Sequence, residues 1–298
     1  GKEAALFFPT GTQANLAGLM AHCERGEEYI VGQMAHTYRL EGGGAAVLGS
    51  IQPQPLPNEP DGTIALDAIA NAIKPNDFHF AMTRLLALEN TFNGLVLPDS
   101  YLEAATGLAR SRGLATHLDG ARLMNAAAAS NRDAAWIAGQ FDTVSLCLSK
   151  GLGAPVGSIL VGPKAFIEKA RRIRKMLGGG MRQTGVIAAA AIYALEHNVA
   201  RLGEDHRRAA ALAEVLGRFP ELGAGPARTN MVFMAPKAFD TATFAAFLRE
   251  RGIAVSGRYG TLRWVTHLDV DDASVARVAE ACERFFDGQQ APAAKARA

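Results

Sequence analysis

The chain has 298 residues, 49% hydrophobic and 20% charged, with a formal net charge of +2. That suits a globular protein with a substantial core in one large or two smaller domains. The absence of a long basic run argues against a nucleic-acid surface, and the longest apolar stretch, 185–195, is too short and Ala-rich to span a bilayer. No secretory signal is visible. Cys23, Cys147 and Cys282, scattered in apolar runs, read as reduced core thiols of a cytosolic protein, neither a disulfide frame nor a metal site.

In chain order, Gly11-Thr12 opens a helix whose apolar face is Leu16, Leu19, Met20 and Cys23. A strand over 28–32 follows, then a short segment with His36 and Glu41, and Gly42-Gly43-Gly44 breaks the chain. Pro53, Pro55, Pro57 and Pro60 predict an extended loop. Leu66, Ile69, Ala70 and Ile73 have helical spacing and predict an amphipathic helix over 65–74. Residues 85–90 read as a strand ending in polar residues, and Ser100 with Glu103 as a capping box for a helix to about Arg112. A strand ending at Asp119, a helix from Arg122 and a strand from Thr143 to Lys150 complete an alternating pattern. That alternation predicts an α/β fold with a mostly parallel sheet flanked by helices.

Residues 163–177 and 184–218 read as helical, the second stretch as one or two helices. A smaller α+β domain is expected over 201–288, after a large domain over 1–200. It contains strands over 230–234 and 262–267, a helix capped by Asp240 and a last helix through Phe286. The tail 289–298 is polar and Ala-rich and is expected to be disordered.

Chemistry concentrates in a few stretches. Lys150 ends a buried apolar strand and precedes Gly151, Gly153, Pro155 and Gly157; a lysine at such a mouth is costly to keep charged and can serve as a nucleophile. Asp119 ends another strand just before Gly120, Ala121 and Arg122. Parallel strand ends converge on one crevice, where a lysine and an acid could grip the aldehyde and ring nitrogen of a pyridine cofactor. Gly11 and Thr12, at a helix start, make a phosphate seat.

These segments resemble the low-specificity L-threonine aldolases, of the aspartate-aminotransferase-like fold type I of pyridoxal-phosphate enzymes. The phrases that carry the resemblance are FPTGTQAN, HCERGEEYIVG, GGAAVLGSIQPQPLP, LENTFNG, HLDGAR, LSKGLGAPVGS, RKMLGGGMRQ and VTHLD, and they span nearly the whole chain. The resemblance implies a PLP-dependent transferase-like fold, pyridoxal 5'-phosphate as cofactor, and retro-aldol cleavage of L-threonine, L-allo-threonine and related 3-hydroxy amino acids. It implies that Lys150 forms the Schiff base, Asp119 pairs with the pyridine nitrogen, and Gly11 and Thr12 hold the phosphate. Arg182 would reach the phosphate of a neighbouring subunit, so a homo-oligomer, dimer or tetramer, is expected. Arg122 and Arg263 would bind the substrate carboxylate, His36 would stack on the ring, and His36 or His79 would take the hydroxyl proton. His22, His197, His206 and His267 are left as structural.

The chain begins at Gly1-Lys2-Glu3-Ala4, and the resemblance implies a further N-terminal segment before it. The family usually has His where Phe92 stands in Glu89-Asn90-Thr91-Phe92-Asn93-Gly94. Phe cannot carry a proton, so rate or diastereomer preference is expected to shift if that position tunes proton transfer. Two other readings stay open: a β-eliminating lyase with the same anchors, and a catalytically silent scaffold of the same fold.

Overall fold

The computed structural model describes residues 1–290 apart from 238 and 259. The chain divides into two compact units, Gly1–Ala200 and the part from Arg201 onward. In the first unit the elements are β1 (Ala4–Phe8), α1 (Gly11–His22), β2 (Glu27–Gly32), α2 (His36–Arg39), α3 (Gly44–Val47), β3 (Gln52–Leu56), α4 (Leu66–Ala72) and β4 (Met82–Glu89). They continue with α5 (Asp99–Ser111), β5 (Ala115–Asp119), α6 (Leu123–Ser130), α7 (Ala134–Gly139), β6 (Thr143–Cys147), β7 (Ser158–Gly162), α8 (Lys164–Met176) and α9 (Gly185–His197).

The seven strands form one sheet in the order β1-β7-β6-β5-β4-β2-β3. Strands β3, β2, β4, β5 and β6 pair in parallel, and β7 runs antiparallel to both β6 and β1. Parallel strands covered on both faces are apolar along their length, as Tyr29-Ile30-Val31 and Leu85 to Leu88 are, all buried. This is the α/β architecture that the strand–helix alternation predicts.

Helix α1 packs against β1, β5, β6, β7 and α8. Thr10 caps it, its Oγ1 accepting from Gln13 N at 3.1 Å. Small residues on α1 let it approach the sheet: Ala14, Ala17 and Ala21 join Leu6, Phe8, Leu160 and Ile167 in one core. At Gly18 the approach is also tight, because a Cβ there would sit 3.0 Å from His117 Cε1.

Two expectations change. The first half of the proline segment, with Pro53 and Pro55, is the edge strand β3, paired only with β2, while Pro57 and Pro60 follow it outside any strand as the expected loop. Proline lacks an N–H and is tolerated at an edge; Pro53 and Pro55 alternate along the strand, so both missing donors fall on its open side. The capping box at Ser100 does not form. Helix α5 starts one residue earlier, at Asp99, with Pro98 at the N-cap (φ −59°) and no side-chain cap bond. Proline's fixed φ pre-sets the helix entry, and Asp99 places its charge in the first turn, where the dipole favours it.

In the second unit the elements are α10 (Leu202–Gly217), β8 (Met231–Met234), α11 (Thr241–Arg249), β9 (Ser256–Arg258), β10 (Thr261–Val265) and α12 (Asp272–Gln290). Its strands form an antiparallel sheet in the order β8-β10-β9. Leu212, Leu216, Val232, Phe244, Leu248, Trp264 and Cys282 fill its core. Asp240 caps α11, accepting from Thr243 N at 3.1 Å. Helix α12 carries the backbone through 289 and 290, the first two residues of the tail expected to be disordered; the rest of that tail, 291–298, lies outside the described residues. Cys23, Cys147 and Cys282 are buried and free. No helix among the described residues is long and apolar enough to cross a membrane.

Candidate active site

Strands β4, β5 and β6 end at one edge of the sheet, where Glu89 pairs in register with Asp119 and Asp119 with Ser145. Register neighbours in a sheet share a face, so these three side chains form a row. Asn15 of α1 lies over it. Its Nδ2 donates to Asp119 Oδ2 and to Glu41 Oε1, each at 2.9 Å, and its Oδ1 accepts from Ser145 Oγ at 2.5 Å. Asp119 Oδ1 also accepts from Ala121 N at 3.1 Å. The same carboxylate therefore lines the site and shapes the turn into α6.

His36 opens α2 beside this row. Its main-chain N–H donates to Glu89 Oε2 at 2.8 Å, and its Nδ1 lies 2.8 Å from Glu41 Oε1. One side-chain atom each from His36, Glu41 and Asp119 all fall within 4.8 Å of one another.

Burial raises two of the carboxyls at this site. Burial pushes the Glu89 carboxyl up to about 8; the Asp119 charge adds to this, while the His36 N–H and the charges of His36 and Lys150 oppose it. The Glu41 carboxyl also lies above its ordinary value, chiefly from burial, although His36 and Asn15 both hydrogen-bond to it. The His36 ring is raised as well, first by its bond to Glu41 and then, against burial, by the charges of Asp119, Glu41 and Glu89. A paired carboxyl ordinarily falls; here desolvation outweighs pairing on the Glu41 side.

Next to the row, α1 begins against the end of β6: a Cβ on Gly11 would lie 2.7 Å from Cys147 Sγ. The N–H groups of Gly11 and Thr12 precede the first intrahelical bond and face outward from the helix start. Two atoms near this end, Gln13 Oε1 and Arg174 Nε, are buried without a hydrogen-bond partner among the described residues. Gln13 Nε2 donates to Leu177 O and Arg174 Nη1 to Phe7 O. Lys150 is half-buried in the turn after β6, its carbonyl accepting from Gly153 N at 2.8 Å. The donor set fits a phosphorylated pyridine aldehyde: free N–H groups for an anion, a carboxylate for a ring nitrogen and an amine for the aldehyde.

The remaining predicted residues are dispersed. Arg122 occupies the N-cap of α6, three residues after Asp119. Arg182 is exposed in the turn between α8 and α9. Arg263 lies exposed in β10 of the second unit, its Nε donating to Ser256 Oγ at 3.3 Å. His79 is not brought to the cluster. It sits exposed before β4, bonded to Asp77, while Glu89 ends that strand; a strand rises about 3.3 Å per residue, so the two lie at opposite edges of the sheet. Phe92 is buried, and a Cβ on Gly62 would lie 2.7 Å from its ring. Sequence reasoning assigned no role to Asn15, Glu41, Glu89 or Ser145. Glu89 carried a signal, an acid ending a strand as Asp119 does.

A mostly parallel open sheet with a lysine, an acid and a helix start near its carboxyl edge is the arrangement of a class of cofactor-dependent lyase and transferase folds. A family model described as beta-eliminating lyase matches residues 1–238. The low specificity L-threonine aldolase of Escherichia coli (strain K12) is 54% identical over 288 residues, covering 96% of this chain and 85% of that protein. Low-specificity L-threonine aldolase 1 of Arabidopsis thaliana is 42% identical, covering 92% and 80%. The solved threonine aldolase of Leishmania major, 23% identical, shares the fold with a TM-score of 0.80 over 95% of this chain and 84% of that one. This chain belongs to the beta-eliminating lyase family and, within it, to the low-specificity L-threonine aldolases.

Proposed function

We propose that this chain binds pyridoxal 5'-phosphate and cleaves L-threonine, L-allo-threonine and related L-3-hydroxy amino acids to glycine and an aldehyde such as acetaldehyde. The observation that carries the reading is the convergence of His36, Glu41 and Asp119 within 4.8 Å at the sheet edge where Lys150 follows β6. Family membership supports the reaction class.

When bound, the cofactor would supply an electron sink for the pair left by the breaking Cα–Cβ bond. Asp119 would face its ring nitrogen and hold a proton there. Lys150 would hold its aldehyde carbon until the substrate amine takes that place. Gly11 and Thr12 would hold its phosphate through N–H groups and the Thr12 hydroxyl, with Arg182 from a neighbouring copy adding charge. Arg122 would grip the substrate carboxylate through paired hydrogen bonds, setting the Cα–Cβ bond for cleavage. His36 would accept the β-hydroxyl proton as the aldehyde forms, and a proton returned to Cα would complete glycine. His79, bonded to Asp77 at the opposite edge of the sheet, is left out of this site.

Exposed Val186, Ile192 and Tyr193 on α9, with Met176 and Met181 before it, support a homo-oligomer, dimer or tetramer. The free buried thiols favour a reducing, cytoplasmic compartment. The test is incubation with cofactor and each threonine isomer, reading acetaldehyde and glycine. The β-elimination that the family's description names would turn threonine into 2-oxobutanoate and ammonia instead. Lys150→Ala is expected to lose the visible cofactor band and nearly all turnover; near-normal turnover would refute the assignment.

A further inference from the structure

Glu41 stands between the two residues that the proposed reaction uses most directly. It is buried, with 3% of its side chain exposed, whereas the His36 ring keeps 35%. A single oxygen, Glu41 Oε1, meets both His36 Nδ1 and Asn15 Nδ2. The Asn15 amide has one consistent orientation: Ser145 Oγ donates to its Oδ1, and its Nδ2 faces two carboxylates. Glu41 Oε1 is therefore an acceptor, and a proton taken up by this acid belongs on Oε2. Facing an acceptor, His36 Nδ1 must carry its hydrogen, which leaves Nε2 as the basic nitrogen of the neutral ring. Glu89 holds the same residue by its main-chain N–H, so His36 is fixed at its backbone and at ring Nδ1.

We propose that Glu41 is a positioning residue for the reaction, holding His36 as the Nδ1–H tautomer with Nε2 free to accept a proton and, through Asn15, joining that ring to Asp119 in one hydrogen-bonded unit. Carboxylates that orient a working imidazole through its second nitrogen act in the same way in metal sites and hydrolases. The inference rests on His36 being the base named above. The charged groups facing His36 are Glu41, Glu89 and Asp119, with Lys150 acting on Glu89. Glu41→Gln removes the charged form of the bond to Nδ1, the first cause of the raised His36 value, and lowers the His36 midpoint.

The test uses cofactor-free protein labelled with ¹⁵N-histidine, and long-range proton–nitrogen correlation across a pH series. Wild type is expected to show His36 in the Nδ1–H form. In Glu41→Gln the midpoint should fall by about one pH unit with both tautomers populated. In the loaded enzyme Glu41→Gln should keep the cofactor absorbance, lose about tenfold or more in kcat with little change in KM, and move the acid limb of kcat/KM to lower pH. A wild-type Nε2–H tautomer would overturn the proposal, and needs no variant to fold. So would a Glu41→Gln protein with unmoved midpoint and acid limb. Failure of the aldol reading is distinct: no acetaldehyde would appear whatever the tautomer.

Discussion

Asn15 Nδ2 and Asp119 Oδ2 meet at 2.9 Å, joining α1 to the carboxyl end of β5 across 104 residues of sequence. The same amide serves Glu41 and is itself oriented by Ser145. A helix that starts at the proposed phosphate seat is thereby locked to the acid at the other end of the proposed cofactor. Each group involved is buried, so none has bulk water as a substitute partner.

Asn15→Ala should therefore cost more than one hydrogen bond. It strips a donor from two buried carboxylates and an acceptor from Ser145, and a buried polar group left unsatisfied costs about 1–3 kcal/mol. The expected outcome is a lower urea midpoint at unchanged m-value, with weaker cofactor binding. Asn15→Asp adds a third acid to the same spot; it should destabilise further at neutral pH and recover part of the loss on acidification.

Gly11 is held to glycine by sulfur. A Cβ there would lie 2.7 Å from Cys147 Sγ, so Gly11→Ala must displace either the helix start or the end of β6. Overpacking of this kind costs about 1–3 kcal/mol and should lower cofactor affinity. Cys147→Ala removes the obstructing atom. The double variant should regain part of both losses, with a coupling of about 0.5–3 kcal/mol, read from paired urea melts. Simple additivity would show that the contact is not the cause.

Acid should unfold this protein through two histidines outside the site. Thr143 Oγ1 lies 2.7 Å from His22 Nε2 and 2.8 Å from His117 Nδ1. One hydroxyl hydrogen can bond to only one of them, so the other ring donates. Burial drives His22 down to about 4, against the charge of Asp142, and His117 down to about 3. Both folded values lie below the unfolded value of 6.5, so the unfolded chain binds protons first. Stability should fall as pH drops below about 6.5, by up to ~1.4 kcal/mol per pH unit for each ring, until the folded values are reached. His117→Asn should flatten this slope in urea midpoints taken from pH 7 to pH 4.

Glu89 predicts the opposite slope. Its folded value near 8 exceeds the ordinary 4.5, so the folded state holds the proton longer. Its contribution is complete below about pH 4.5 and is lost as pH rises through 8. The stability difference between wild type and Glu89→Gln, both cofactor-free, should grow across that window. Glu89 shares the wall of a small cavity with Gly32, Ala35, Phe92 and Leu97. Phe92→His replaces part of that apolar wall with a polar ring, so it should lower the Glu89 midpoint and narrow the window; an unmoved midpoint would show that Phe92 does not desolvate the acid.

What the chain's order of residues determines alone is local. Apolar runs before Lys150 and Asp119, a Gly-Thr pair opening a helix and strands alternating with helices are patterns within a few residues; the structure places Asp119 at a strand end and Gly11 at a helix start as read, while β6 stops at Cys147 and Lys150 follows in the turn, not in the strand expected to reach it. The edge position of β3 was hidden because prolines that forbid a central strand look the same in a loop and at an edge. The Ser100 cap misled because Pro98, two residues earlier, sets the entry instead. Only the tertiary structure decided that Glu89, Asp119 and Ser145 form a row, that Asn15 and Glu41 connect His36 to it, and that His79 stands at the opposite edge. Hydrogen bonds across 26, 104 and 130 residues depend on strand order and register, and no local periodicity encodes which strands become neighbours.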